Sequence, residues 1–226
     1  MKIGVLLSGC GVYDGAEIQE AVLTLLEIER IGAEAVCIGI NDAQHHVVNH
    51  LTGEVQQQQR NMLEEAARIA RGNIVDIAQV VPADIDALVI PGGFGSAKNF
   101  SNWAFNGPEG TLRPDVKLLL VNLYNVGKPI VALCVSPILL ALALPNSSLQ
   151  LTLGHTADPS PYQIQDFNDG ISTLGATPKN IKLGDVFVDT ENRLITAPCY
   201  MMDATILQIQ QNIQNALKAL IQLLEA

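Results

Sequence analysis

One cysteine stands where chemistry could be built. In "KPIVALCVSPILLALAL", residues 128–144, an apolar run of strand character ends at Cys134, and a second apolar run follows with Pro137 in its first turn. Strand, thiol, then a helix with proline near its start is the pattern of a nucleophile elbow. A thiol placed there faces unpaired N–H groups and the positive end of a helix, both of which favour the thiolate. The N–H of Val135 would point at the oxygen that develops on a carbonyl attacked by Cys134. Gly92 and Gly93 end a neighbouring strand and could offer a second donor, since no side chain blocks approach. A nucleophile also needs a proton partner. Glu17 and Glu20 lie in the first turns of the first helix, and Glu20 shares a small-residue strip with Ala16 and Thr24 that can face the sheet edge. Glu17 is read as complementing the helix dipole. His155, the only histidine after Cys134, follows a strand and either approaches the pocket or is a polar loop residue. Cys199 also ends a strand and could neighbour Cys134. From pattern alone, a buried structural cysteine and a nucleophile remain equally open.

These residues need a frame that brings strand ends together, and the chain supplies one. "KIGVLLSG" reads as a buried strand. Asp14, with Glu17 three residues on, reads as a capping box, opening a helix with Ile18, Val22, Leu25 and Ile28 on its apolar face and Gly32 at its stop. "AEAVCIGI" is a second strand, "NMLEEAARIARG" a helix, "IVDIAQV" a short strand, and "IDALVIPGG" a strand breaking into a glycine-rich turn. Then come a helix in "RPDVKLLLVNLYNVG", the elbow, a strand in "LQLTLG", a helix in "SPYQIQDFNDGISTLG", two strands around Glu191 and Asn192, and a closing helix from residue 204 onward. Strands alternating with helices predict an α/β fold with a mainly parallel sheet covered on both faces, in one domain spanning 1–226. Ligands in such sheets bind beyond the carboxyl ends of the strands. Residues 41–59, polar and including the glutamine run Gln56–Gln59, read as an irregular insertion, and His45, His46 and His50 within it as a solvated loop.

Composition narrows the function classes. A net charge of −10 argues against a nucleic-acid surface, which needs clustered Lys and Arg. The apolar run around Leu139 is broken by Pro137 and Pro145 and is too short to span a membrane. The N-terminus reads as a first strand rather than an export signal. The four cysteines contain no C-x-x-C pair, so free thiols in a reducing cytoplasm are expected. Joining Cys10, Cys134 and Cys199 in a disulfide or metal site is the weaker reading, and no metal is expected. The glycines of "SGCGVYDG" are spaced G-x-G-x-x-x-G, off the dinucleotide fingerprint, so the turn reads as one that needs small residues rather than as a nicotinamide site with Asp42 on a ribose.

Taken together, "SGCGVYDGAEIQEAV", "NHLTGE", "VIPGGFGSAKNFSNWA" and "KPIVALCVSP" resemble the ElbB branch of the PfpI, or class I glutamine amidotransferase-like, superfamily, over most of the chain. The resemblance implies a flavodoxin-like three-layer sandwich and a homodimer. It places Cys134 on the elbow cysteine, Glu20 on the acid that hydrogen-bonds it, and Gly92 and Gly93 on the oxyanion side. It further implies a glyoxalase-like activity on glyoxal or related α-dicarbonyls that needs no cofactor. The histidine–glutamate pair of the glutamine amidotransferases is absent, since His155 is followed by Thr156 and Ala157. Two rival readings stand beside the enzyme: a redox-sensing thiol protein, because an accessible low-pKa cysteine oxidises readily, and a cysteine hydrolase or amidase, which would need His155 at the thiol.

Overall fold

The computed structural model describes residues 1–225. Seven strands form one sheet in the order β3-β2-β1-β4-β5-β9-β8, and two more, β6 and β7, pair beside it. The central members are β1 (Lys2–Leu6), β4 (Ala87–Ile90), β5 (Ile130–Leu133) and β9 (Leu194–Ala197), with β2 (Glu34–Gly39) and β3 (Val75–Asp76) on one side. All of these run parallel, and only the edge strand β8 (Phe187–Asp189) is antiparallel. The residues of β4, β5 and β9 are buried throughout, as expected for strands covered on both faces.

From β1 the chain crosses leftward to β2 through α1 (Ile18–Arg30), and from β4 rightward to β5 through α4 (Pro114–Asn125). Right-handed crossovers in opposite directions put these helices on opposite faces. The closing helix α7 (Ile206–Glu225) packs on α1, and α5 (Pro137–Ala143) packs on α4, completing the flavodoxin-like three-layer sandwich expected from the alternation. The strand order reverses between β1 and β4, so the crevice for a ligand lies above their carboxyl ends. The remaining helices are α2 (Met62–Ile69), the short α3 (Trp103–Asn106) and α6 (Ile164–Thr173).

Two sequence expectations are corrected here. The first helix begins at Ile18, and its N-cap is Glu17, whose carboxylate accepts from the Glu20 N–H at 2.6 Å. Asp14 is instead buried before the helix and accepts from Val48 N–H at 2.6 Å, so it holds the insertion and not the helix. The buried face of α1 is Glu20, Ala21, Thr24, Glu27 and Ile28, which leaves Ile18, Val22 and Leu26 exposed on the opposite stripe. Packing against α7 decides this: Glu27 is bound by Arg30 at 2.8 Å and by Gln210 of α7 at 2.7 Å, so an acid occupies an interior position that hydropathy assigns to an aliphatic residue.

The small sheet of β6 (Gln150–Gly154) and β7 (Thr177–Asn180) is tied to the main one by side chains. Asp189 at the end of β8 accepts from the Gln150 N–H at 2.8 Å, and the Thr196 hydroxyl of β9 accepts from Thr152 N–H at 2.9 Å. Both acceptors are buried, so deleting either leaves a donor without water or partner. We expect Asp189→Ala and Thr196→Val each to cost about 1–3 kcal/mol, read as a lower urea midpoint with an unchanged slope.

Candidate active site

Cys134 follows directly on β5 and has φ of +57°, the left-handed region that a non-glycine residue enters at a cost of roughly 1–3 kcal/mol. Its backbone N–H donates to the Ala197 carbonyl at 2.9 Å, which carries the β5–β9 ladder one step past the strand before the chain turns into α5. Ser136 fixes the turn from beneath: its hydroxyl donates to the Pro91 carbonyl at 2.7 Å and lies 2.9 Å from the Ser96 hydroxyl. The elbow is thereby bolted to the Gly92–Gly93 turn after β4.

Glu20 comes from the first turn of α1 and is fully buried. One carboxyl oxygen accepts from Gly92 N–H at 2.7 Å, the other from Tyr200 N–H at 3.1 Å, and the group is hydrogen-bonded to the Cys134 thiol. A side chain at Gly92 would place its first carbon 2.3 Å from Cys134 Cβ and 2.5 Å from the Glu20 carboxyl, so glycine is required for the pair to meet. The Gly92 N–H is therefore spent on Glu20. The donors directed at the Cys134 sulfur are those of Val135 and Gly93, and Gly93 reaches this position with φ of +102°.

Electrostatics at the pair differ from the expectation of a ready thiolate. Burial, then the nearby charge of Glu17, push the Glu20 carboxyl up to about 8, against the opposing N–H bonds from Tyr200 and Gly92. Burial, then Glu20, push the Cys134 thiol well above its ordinary value, against the N–H groups of Val135 and Gly93. The start of the seven-residue α5 does not offset the loss of water around a thiol that is only 5% exposed beside a carboxyl. At neutral pH the pair holds its protons, and the proton that leaves first, near pH 8, belongs to the two groups jointly.

A narrow cavity opens onto Cys134, and only about 20 Å³ of it admits a molecule the size of water. Gly93, Val135 and Glu17 line it, together with Phe94, Tyr162 and Tyr200, three aromatic residues that the sequence did not single out. Glu17 thus does more than face the dipole, because it also raises the Glu20 carboxyl. The aromatic residues come from loops whose positions no local pattern fixes; "FG" after the double glycine was the one available signal for Phe94. The Tyr162 hydroxyl is pushed up to about 12, by burial first and then by Cys134 and Glu20, so it stays a neutral donor at the cavity wall. His155 is not brought to the thiol. Its Nδ1 accepts from Ala157 N–H at 3.3 Å and lies 3.4 Å from Asp158, within its own turn. Cys199 is fully buried near the pair, and burial, then Glu20 and Cys134, push its thiol well above its ordinary value. All four thiols are free. Asp42, considered above for a ribose, is paired with Arg113 at 2.8 Å.

Replacing Glu20 by glutamine removes the charge that holds the thiol up. We expect Glu20→Gln to move the midpoint for iodoacetamide alkylation of Cys134 to lower pH, by about one unit or more. An unmoved midpoint would show that the two groups are not electrostatically coupled.

No family model matches the chain. Among curated proteins, the human mitochondrial glutamine amidotransferase-like class 1 domain-containing protein 3 is 35% identical, with the alignment covering 98% of this chain and 83% of the human one. The rat mitochondrial ES1 protein homolog is 34% identical, covering 98% of this chain and 84% of the relative. Among solved structures, an isoprenoid biosynthesis protein with an amidotransferase-like domain from Ehrlichia chaffeensis superposes with a TM-score of 0.89 at 34% identity, over 99% of each chain. Drosophila melanogaster DJ-1beta, at 21% identity, shares the fold with a TM-score of 0.57 over 100% of this chain and 91% of its own. The chain therefore belongs to the glutamine amidotransferase-like class 1 family that includes the ES1 proteins.

Proposed function

We propose that the protein is a cofactor-independent glyoxalase-like enzyme of the ElbB type, converting glyoxal or a related α-dicarbonyl to a 2-hydroxy acid at Cys134. The observation that carries the proposal is the contact between a buried carboxyl and a buried thiol, Glu20 with Cys134, at a cavity that offers the Gly93 and Val135 N–H groups. In the form that has lost one proton, Glu20 takes the proton of the thiol as sulfur adds to the aldehyde carbon. It returns that proton to the new oxyanion, giving a hemithioacetal, while the two N–H groups stabilise the developing charge. Glu20 then removes the hydrogen of the sulfur-bearing carbon as a proton and delivers it to the neighbouring carbonyl carbon through an enediol. The result is a thioester of the 2-hydroxy acid on Cys134. Water cleaves it, regenerating the thiol and releasing the acid. One carbon is oxidised as its neighbour is reduced, so the electrons balance within the substrate. The apolar surroundings of Glu20 support this role, since a base with a pKa near the working pH transfers protons most effectively.

The thiol-sensor reading is weakened because burial and Glu20 hold the Cys134 thiol protonated, whereas ready oxidation needs a thiolate. The hydrolase reading lacks its histidine, His155 being engaged in its own turn. A cytoplasmic location is part of the proposal; four free thiols suit a reducing compartment. Among the described residues no helix is long and apolar enough to cross a membrane. Homodimerisation is likewise proposed, and the stripe Ile18, Val22 and Leu26, between 42% and 48% exposed at one-turn spacing on α1, supports it.

We expect Cys134→Ala to abolish turnover of glyoxal without glutathione, and Glu20→Gln to lower it by ~10²-fold or more. Undiminished turnover in the cysteine variant sinks the mechanism. For the wild type, kcat/KM should rise about tenfold per pH unit below 8 and level off above it, because the active pair is the one that has lost its first proton. A flat profile from pH 6 to 9 is the contrary result. Val22→Glu should convert a dimer to a monomer by light scattering, and a wild type that is already monomeric refutes the dimer.

A further inference from the structure

The opening to Cys134 does not end at the thiol cavity. Phe94 and Tyr162, whose rings meet edge to face with centroids 5.9 Å apart, wall that cavity on one side and a groove of about 610 Å³ on the other. The groove also carries Tyr13, His46, Val48 and Lys98. In a chain of net charge −10, no carboxylate stands among the residues lining it, and Lys98 is the one permanent charge there.

Lys98 is built into place. It rides on a single π-helical turn, Ser96–Phe100, a device common at functional sites. The turn is pinned by the buried Asn99 side chain, which donates to the carbonyls of Ser8 and Asp14, both at 2.8 Å, and accepts from His45 N–H at 2.8 Å. The ammonium lies 5.3 Å from the centre of the Phe94 ring and donates to the Tyr13 carbonyl at 3.0 Å. An ammonium has three donors, so that bond leaves capacity for a ligand. His46 keeps a buried Nδ1 without a partner among the described residues, and burial, then His45 and Lys98, hold its ring neutral at pH 7.

The thiol cavity is narrow, and a longer substrate that leaves it past Phe94 and Tyr162 enters this groove. We infer that the groove binds the carboxylate tail of the substrate, with Lys98 supplying the charge, so that carboxylate-bearing α-oxoaldehydes are preferred over uncharged ones. A single ammonium, acting close to the buried Asp14, matches one negative charge better than the nearly double charge of a phosphate. This inference rests on the glyoxalase reading of Cys134 and names the substrate class for it; the steps and their electron balance are those given above.

The test compares an α-oxoaldehyde whose chain ends, two methylenes on, in a carboxylate with its methyl ester. The wild type should favour the acid by about tenfold or more in kcat/KM. That ratio should fall close to one in Lys98→Met, survive in Lys98→Arg, and shrink as salt is raised. Equal rates for acid and ester in the wild type, or a preference that survives Lys98→Met, overturn the inference. Should neither compound be turned over, the glyoxalase reading falls by itself, and calorimetry with 4-oxopentanoate, a monocarboxylate of the same chain that lacks the aldehyde, still decides the groove. Binding to the wild type that is lost in Lys98→Met upholds it. No binding, or tighter binding of inorganic phosphate, overturns it.

Discussion

The structure is organised around a carboxyl that is buried without a cation. Two other interior acids of the helices meet cations: Glu27 reaches Arg30 at 2.8 Å and Glu65 reaches Arg68 at 2.9 Å. Glu20 instead meets two backbone N–H groups, from Gly92 and Tyr200, and a thiol. Those donors lie 72 and 180 residues away in sequence, so the contact exists only when β4, β9 and α1 are all in place. The pair thus reports the whole central sheet. An arginine would have kept the carboxyl ionised and unable to carry a proton, whereas two N–H groups hold it in position and leave it titratable near neutrality.

Much of the surrounding geometry follows from that requirement. Because Glu20 faces inward, the inner side of α1 is made of Ala21, Thr24 and a bonded Glu27, and part of the aliphatic stripe turns outward. Because Cys134 must rise to meet the carboxyl, the chain leaves β5 in a left-handed conformation, and the neighbouring Cys199 leaves β9 in the same way with φ of +44°. Gly92 has to lack a side chain for the two groups to touch. Linkage gives the cost a sign. A carboxyl whose pKa rises from 4.5 to about 8 on folding contributes stability fully below pH 4.5, and that contribution is lost as pH rises through 8. At the pH where it can act as a base, Glu20 has ceased to help hold the fold.

The parts legible in sequence were those with local signatures. The strand runs around Val5, Val89 and Val131, the proline opening of α5, and the glycines ending α1 and α4 all have short-range physical causes, and the alternation they produce identifies the sheet and its active edge. Cys134, Glu20 and the double glycine were legible as candidates because an elbow and a small-residue strip leave marks within a few residues, while pattern alone left a structural cysteine equally open and the family resemblance put the three together. The cap of α1 was misread because Asp14 and Glu17 suit a capping box equally well on paper, and only the distant Val48 N–H decides that Asp14 is used elsewhere. Tyr162 and Tyr200 left no mark, since their approach to the thiol depends on how α6 and the turn after β9 pack.

The insertion after β2 shows the same limit from the other side. Its polarity suggested a solvated loop, yet it folds back through the Val48–Val55 bridge and is stitched to the strand ends by Asp14 and Asn99. His50 joins in, accepting from Tyr13 N–H at 3.2 Å and bonding the Val48 carbonyl at 3.1 Å. Polar residues here make the inter-loop bonds that apolar residues make between helices and sheet, and hydropathy cannot distinguish a polar side chain facing water from one facing another loop. The consequence is a division of labour by rigidity. The Cys134–Glu20 pair sits at the end of β5 and on α1, where displacement would break the sheet, while the outer wall of the neighbouring groove is held by loop-to-loop hydrogen bonds.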